Sequence, residues 1–228
     1  PLWSRGLGDV YKRQVRRGWI GLVRRHPTLA IGGGLLLLLV LIGIFAPWLG
    51  TVDPSAIAPA RRTRAPSADF WFGTDMLGRD VYSRVLLGTR VSLVVGFSVA
   101  CIATAIGLAI GLLSGFVRWA DGPVMRAMDA LMSIPPILLA IALMALTRGS
   151  IGNVIIAITI AEIPRVARLV RGVVLSLREQ AYVDAAITTG TPTLRIIRRH
   201  ILPNTIAPMM VQATYICASA MIIEAMLS

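Results

Sequence analysis

Of 228 residues, 56% are hydrophobic and only 15% charged, and the mean hydropathy is +0.74. An ordinary soluble domain is roughly half apolar and about a quarter charged, so this balance excludes one and points to an integral membrane protein. The formal net charge of +12 lies at the ends of apolar stretches instead of along a polar face, which sets nucleic acid aside and leaves membrane topology to explain it.

The chain opens on a stretch unlike the rest. "GLGDVYKRQ" resembles translated sequencing-adapter DNA, and it contains Lys12, the only lysine among 23 basic residues. Residues 1–14 are therefore expected to be an artefact and stay outside the functional reading.

Five hydrophobic stretches follow, measured against the roughly 20 apolar residues needed to cross a bilayer core. They cover residues 28–49, with the leucine run 35–39, then 91–117, 124–147, 151–163 and 206–227. The fourth must continue toward Val170 to span. Lipid offers no partners to an open backbone, and the alternating segments of a β-barrel are missing, so each stretch predicts a helix. The expected fold is all-α, a polytopic transmembrane bundle with five spans visible.

Arginine placement sets the orientation. An inside N-terminus puts Arg16, Arg17, Arg24 and Arg25 on the cytoplasmic side, with Arg118, Arg126 and the group from Arg165 to Arg199. The loop 50–90 is then outside although it holds Arg61, Arg62, Arg64, Arg79, Arg84 and Arg90, partly offset by Asp53, Asp69, Asp75 and Asp80. A reporter fused after Ala65 and found in the cytoplasm would overturn this topology.

Within the spans, Ala103, Gly107, Gly111 and Gly115 recur every four residues, a small-residue stripe that lets another helix approach closely. Pro135 and Pro136 should kink or break the third span, either as a packing feature or as a gating hinge. The short apolar run before Glu162 and Pro164 reads as an interrupted span of a transport pathway, or as a helix emerging into the cytoplasm. Asp129 is expected to pair with Arg126 and Glu162 with Arg165, each three residues apart on one helix face. Glu224, near the far end of the fifth span, is expected at the interface or hydrogen-bonded in the bundle. Cys101 and Cys217 sit in apolar runs and should behave as small hydrophobes without a disulfide.

Signatures of chemistry are missing. No GxxxxGK[ST] loop, HExxH or GxSxG is present, and His26 and His200 stand alone, so neither an enzyme nor a metal site is expected.

The stretch 179–204, "EQAYVDAAITTGTPTLRIIRRHILPN", is the soluble-looking exception. Residues 181–188 are alanine-rich and long enough for two helical turns, and Gly190 suits the left-handed position that closes a helix. Thr191 is expected to cap a second helix with Pro192 at its first position, and Pro203 to stop it. Leu194, Ile197 and Ile201 share one face of that helix, and Arg195, Arg198 and Arg199 another. An interfacial helix lying on anionic headgroups would explain the arginines but not the ordered turn, cap and stop.

"DAAITTG" followed by "RRHILP" resembles the EAA loop of ABC importer permeases, with Asp184, Ala185, Ala186, Gly190, Leu202 and Pro203 at its positions. Asp184 stands for the glutamate and His200 for an isoleucine. "FGTDMLGRDVYSRVLLGTRVSL", "MRAMDALMSIPPILLAIAL", "ARLVRGVVLSLREQAYVDAA" and "EAMLS" resemble, in order, the C-type subunit of dipeptide, oligopeptide and nickel importers. The resemblance covers about residues 16–228. It implies six spans, hence a chain truncated before its last helix. Residues 15–90 would hold a cytoplasmic tail, the first span and a periplasmic loop, and residues 91–228 the permease core.

By this resemblance the chain is a non-catalytic inner-membrane permease subunit of an ATP-driven, binding-protein-dependent importer of peptides or a related small solute. A second permease, separate cytoplasmic ATPases and an extracytoplasmic binding protein are the implied partners, and no cofactor is. Ala181, Tyr182, Asp184, Ala185, Ala186 and Gly190, with Leu202 and Pro203, would couple to the ATPase through a cytoplasmic helix between spans four and five. Gly107, Gly111, Gly115, Pro135 and Pro136 would serve packing or hinge motion. An ion-coupled secondary transporter is the alternative reading, and a membrane scaffold the third.

Overall fold

A computed structural model describes residues 27–146 and 150–227. The leader 1–14, the arginines before the first span and His26 lie outside the described residues. Among those described, the secondary structure is helical with one isolated bridge between Thr74 and Asp80. The chain divides at Arg90 into two compact units.

In the first unit, helix α1 (Pro27–Phe45) is apolar on every side and almost wholly unburied by protein, as suits a helix solvated by lipid. After it the chain forms an irregular, hydrogen-bonded loop. Helix α2 (Val81–Phe116) starts ten residues ahead of the apolar stretch read from sequence. Asp80 is the reason: its Oδ2 accepts the backbone N–H of Ser83 at 2.9 Å, capping the first turn. Arg84 and Arg90 are thus helical residues, not loop residues.

Asp75 organises the loop. Its Oδ1 accepts the N–H groups of Leu77 (2.8 Å) and Arg79 (2.9 Å), while Oδ2 takes Arg79 Nε (2.8 Å) and Arg84 Nη1 (2.7 Å). The bonds from Arg79 and Leu77, the Arg79 backbone N–H foremost, pull its pKa down to about 2 against the opposing effect of desolvation. A depressed carboxylate stabilises its fold above its ordinary pKa, and that contribution is lost as pH falls through the depressed value. Hydrogen exchange of the 70–80 backbone should therefore accelerate between about pH 4 and pH 2. Asp75→Asn should already exchange fast at pH 6; equal protection in the two proteins would refute the role given to Asp75.

In the second unit, α3 (Arg118–Met132) and α4 (Pro136–Ala145) meet at 85°. Pro135, in an extended conformation, precedes α4 and Pro136 opens it, so the pair ends one helix and starts the next. Helix α5 (Ile151–Arg178) is capped by Ser150, whose side chain accepts from Asn153 N. It runs unbroken through buried Pro164, so of the two readings offered for this stretch the interrupted helix is not the one formed. The missing N–H costs one hydrogen bond, and packing on three other helices holds the backbone straight on.

Helices α6 (Ala181–Thr188) and α7 (Thr193–Ile196) follow, then a π-helical turn (Ile197–Ile201) and α8 (Leu202–Leu227). Pro192, not Thr191, occupies the N-cap of α7, without a side-chain cap. Pro203 does not stop the helix, which continues from Thr193 to Leu227. The N–H of Leu202 bonds back to Ile197 O, one residue further than in an α-helix. That widening moves the preceding carbonyls away from the pyrrolidine ring.

Among the described residues, three helices are long and apolar enough to cross a membrane, or four if the bent α3–α4 pair is one span. The remaining stretch of the five read from sequence is α5, which is less apolar than these because it carries Glu162, Arg165 and Arg168. The core joins Val95, Val99 and Ala103 of α2 to Val166, Val170 and Val174 of α5 and Ile216 and Ala220 of α8.

Candidate functional site

The second unit is built on a close helix seam. A Cβ added at Gly107 would meet Val166 Cβ at 2.5 Å, one at Gly111 would meet Val170 Cβ at 2.6 Å, and one at Gly115 would meet Val174 Cγ1 at 2.6 Å. Each step of four on α2 matches a step of four on α5, so the two run parallel with backbones in near contact. Helix α8 runs antiparallel to α2: Ser92 Oγ donates to Glu224 Oε2 at 2.8 Å, and a Cβ at Gly96 would meet Met221 and Cys217.

Charged contacts fix α5 along its length. Glu162, 1% exposed, pairs with Arg165 at 3.0 Å, and Arg165 stacks on the Tyr215 ring of α8 at 5.3 Å. Asp129 takes Arg168 at 2.5 Å across helices, not Arg126 of its own helix. Arg171 grips both oxygens of Asp121 at 2.5 and 2.7 Å, a fork matched to the carboxylate. Arg178, the last residue of α5, donates to Gly115 O at 2.7 Å and lies over the Phe116 ring at 5.5 Å. There it meets the unpaired carbonyls at the α2 C-terminus.

Just past this clasp, α6 stands out from the bundle. Val183 is fully buried and Ala186 half-buried against the core, while Ala181, Tyr182, Asp184, Ala185, Ile187 and Thr188 are exposed. The sequence treats the alanines as equivalent, yet Ala186 packs inward. Gly190 N bonds to Ile187 O at 2.9 Å and Thr191 N to Ala186 O at 3.0 Å, a Schellman closure with Gly190 at φ +75°. The Tyr182 ring lies 5.8 Å from the His200 ring, linking α6 to the π-turn. Asn204 Nδ2 donates to His200 O at 2.6 Å, and Leu202 is half-buried beside exposed Pro203. Among the described residues, no three His, Cys, Asp or Glu side chains gather as metal ligands would.

Sequence reasoning missed the Tyr182–His200 contact and the pairs from α5 to α3. The first had no local signal. The second left one: Asp121 and Asp129 on an amphipathic helix facing arginines three residues apart.

An all-helical chain with several spanning helices and one short, exposed helix tied to their ends is a polytopic membrane component. Residues 81–228 match the family described as the binding-protein-dependent transport system inner membrane component, and residues 17–66 match the N-terminal TM domain of oligopeptide transport permease C. A probable peptide ABC transporter permease protein of Sinorhizobium fredii is 51% identical over 209 residues, covering 92% of this chain and 72% of that protein. A probable D,D-dipeptide transport system permease protein of Escherichia coli is 41% identical, covering 91% and 70%. A glutathione transport system permease protein of Pectobacterium atrosepticum is 39% identical, covering 86% and 65%. The chain belongs to the inner-membrane permease family of binding-protein-dependent ABC transporters, in its oligopeptide permease C branch. It is a multi-pass, non-catalytic membrane subunit.

Proposed function

We propose that this permease is one of two that form the channel of an ATP-driven importer of peptides or a related small solute, and that α6 is the helix through which it is driven. The observation carrying this is the mounting of α6: an inward side holding buried Val183 and half-buried Ala186, a closed Schellman end, and an outward face bearing Ala181, Tyr182, Asp184 and Ala185. Small side chains let a partner's backbone approach, and the continuous helix from Thr193 carries any displacement into α8. A cytoplasmic ATPase pair that closes on ATP would do work on the bundle only through contacts that differ between its two states.

In this reading α5 counts as a span, the N-terminus and α6 are cytoplasmic, and the 50–80 loop faces a substrate-delivering binding protein. The relatives' names supply the substrate class. Ion coupling finds less support, because Glu162 is paired with Arg165 and Glu224 accepts from Ser92.

Gly190 provides the test. Nothing lies within 4 Å of a Cβ built there, so the cost of substitution comes from φ and not from size. A left-handed residue costs about 1–2 kcal/mol, with asparagine favoured over others. ATP-driven uptake by the assembled transporter should fall in the order Gly, Gly190→Asn, Gly190→Ala, Gly190→Val, with ATPase subunits still co-purifying. Full uptake by Gly190→Val would refute the coupling role.

A further inference from the structure

We infer that Arg195, Arg198 and Arg199 form a binding surface for the headgroups of anionic phospholipids at the foot of α8. The inference rests on the membrane placement of α8 and not on the docking of α6.

The three arginines, like Arg62, Arg90, Arg118 and Arg126, have no carboxylate or carbonyl partner among the described residues, and they stand together in the turns that lead into α8. Arg79, Arg84, Arg165, Arg168 and Arg171 each hold a carboxylate, and Arg178 holds a backbone carbonyl. Arg195, Arg198 and Arg199 are all exposed, and among the described residues no ion pair joins them to an acid. Their backbone is nonetheless fixed, since Ile196 and Ile201 on either side are buried in the core. Three cations are thus presented at a fixed position with no acid among the described residues of this chain paired to them.

Arg198 and Arg199 stand a few ångströms beyond the headgroup layer. The apolar stretch of α8 opens at Ile206, and a helix rises about 1.5 Å per residue, which leaves Arg199 roughly 10 Å and Arg198 roughly 12 Å below the hydrocarbon boundary. The headgroup region is about 5–8 Å deep, within reach of an arginine that extends its stem toward the phosphates. Arg195 stands one turn lower, where a Debye length of about 8 Å still lets it feel an anionic surface. The fork of a guanidinium matches phosphate oxygens better than an ammonium does.

The test uses the assembled transporter, with lipid retention read by native mass spectrometry after titration with phosphatidylglycerol or phosphatidylcholine. The wild type should retain phosphatidylglycerol preferentially. Each arginine near such a surface strengthens attraction roughly fivefold, so Arg195→Gln, Arg198→Gln and Arg199→Gln together should weaken that retention on the order of a hundredfold. Phosphatidylcholine retention should not change, and the triple lysine variant should keep most of the preference. Raising salt from about 0.05 M to about 0.5 M should strip phosphatidylglycerol from the wild type, a measurement that stands even where the glutamine variant does not assemble. Wild-type retention in the glutamine variant, or salt-independent retention, would overturn the inference. So would loss of the ATPase subunits from that variant with lipid retention intact, which would give the surface to a protein partner. Gly190 variants that uncouple transport should retain lipid normally, which separates this site from the coupling role.

Discussion

Gly111→Leu will separate α2 from α5 and leave a permease that unfolds at markedly lower temperature in detergent. The obstacle is backbone as well as side chain: a Cβ at this position meets Ala167 O at 2.7 Å and Val170 Cβ at 2.6 Å. A neighbouring side-chain end could swing away, but a helix carbonyl moves only with its helix. Overpacking of a filled core typically costs about 1–3 kcal/mol, and leucine against a backbone belongs at or beyond the upper end. Gly111→Ala should cost less, and adding Val170→Ala should return part of the loss, since the two share one contact. Gly172, on α5 but with nothing within 4 Å of its Cβ, is the control. Its replacement by alanine should be neutral, or stabilising by up to about 1 kcal/mol through helix propensity. Equal melting temperatures for Gly111→Leu and wild type would remove the seam from the account of this fold.

That seam was legible because close approach demands small residues at helical spacing, a requirement written directly into residues 103–115. The closing of α6 was legible for a similar reason: a Schellman turn is local, and Gly190 alone can relax into it. The start of α2 was also on display, since Asp80 stands three residues before Ser83, but apolar content outweighed the cap and placed the helix ten residues late. Other features depend on distant partners. The rule that pairs Asp129 with Arg126 assumes an isolated helix, whereas α3 turns at 85° from α4 and offers its acids to α5. The π-turn arises because Pro203 must be housed in a helix that continues, and nothing local says that it continues. The inward turn of Ala186 follows from which side of α6 meets the core, a fact fixed only once α5 and α8 are placed.

Arg165→Met will be among the most destabilising single changes in the second unit, and Glu162→Gln added to it will restore much of the loss. Glu162 is 1% exposed and its cation is Arg165 at 3.0 Å; removing the arginine strands a buried carboxylate, a situation that costs about 3–5 kcal/mol. Arg165 is itself 34% exposed and can reach polar surroundings, so Glu162→Gln alone should cost considerably less. The asymmetry between the two single variants, with recovery in the double, distinguishes a charge pair from two independent packing residues. Thermal unfolding of the purified transporter reads it directly, and equal stability of Arg165→Met and the double variant would sink the pairing. The same cycle separates the two transport classes. A carboxylate that loads protons or sodium cannot be replaced by glutamine without loss of uptake, however well the protein folds. A carboxylate that only balances Arg165 can, so the double variant should retain ATP-driven uptake in proportion to the amount of folded transporter.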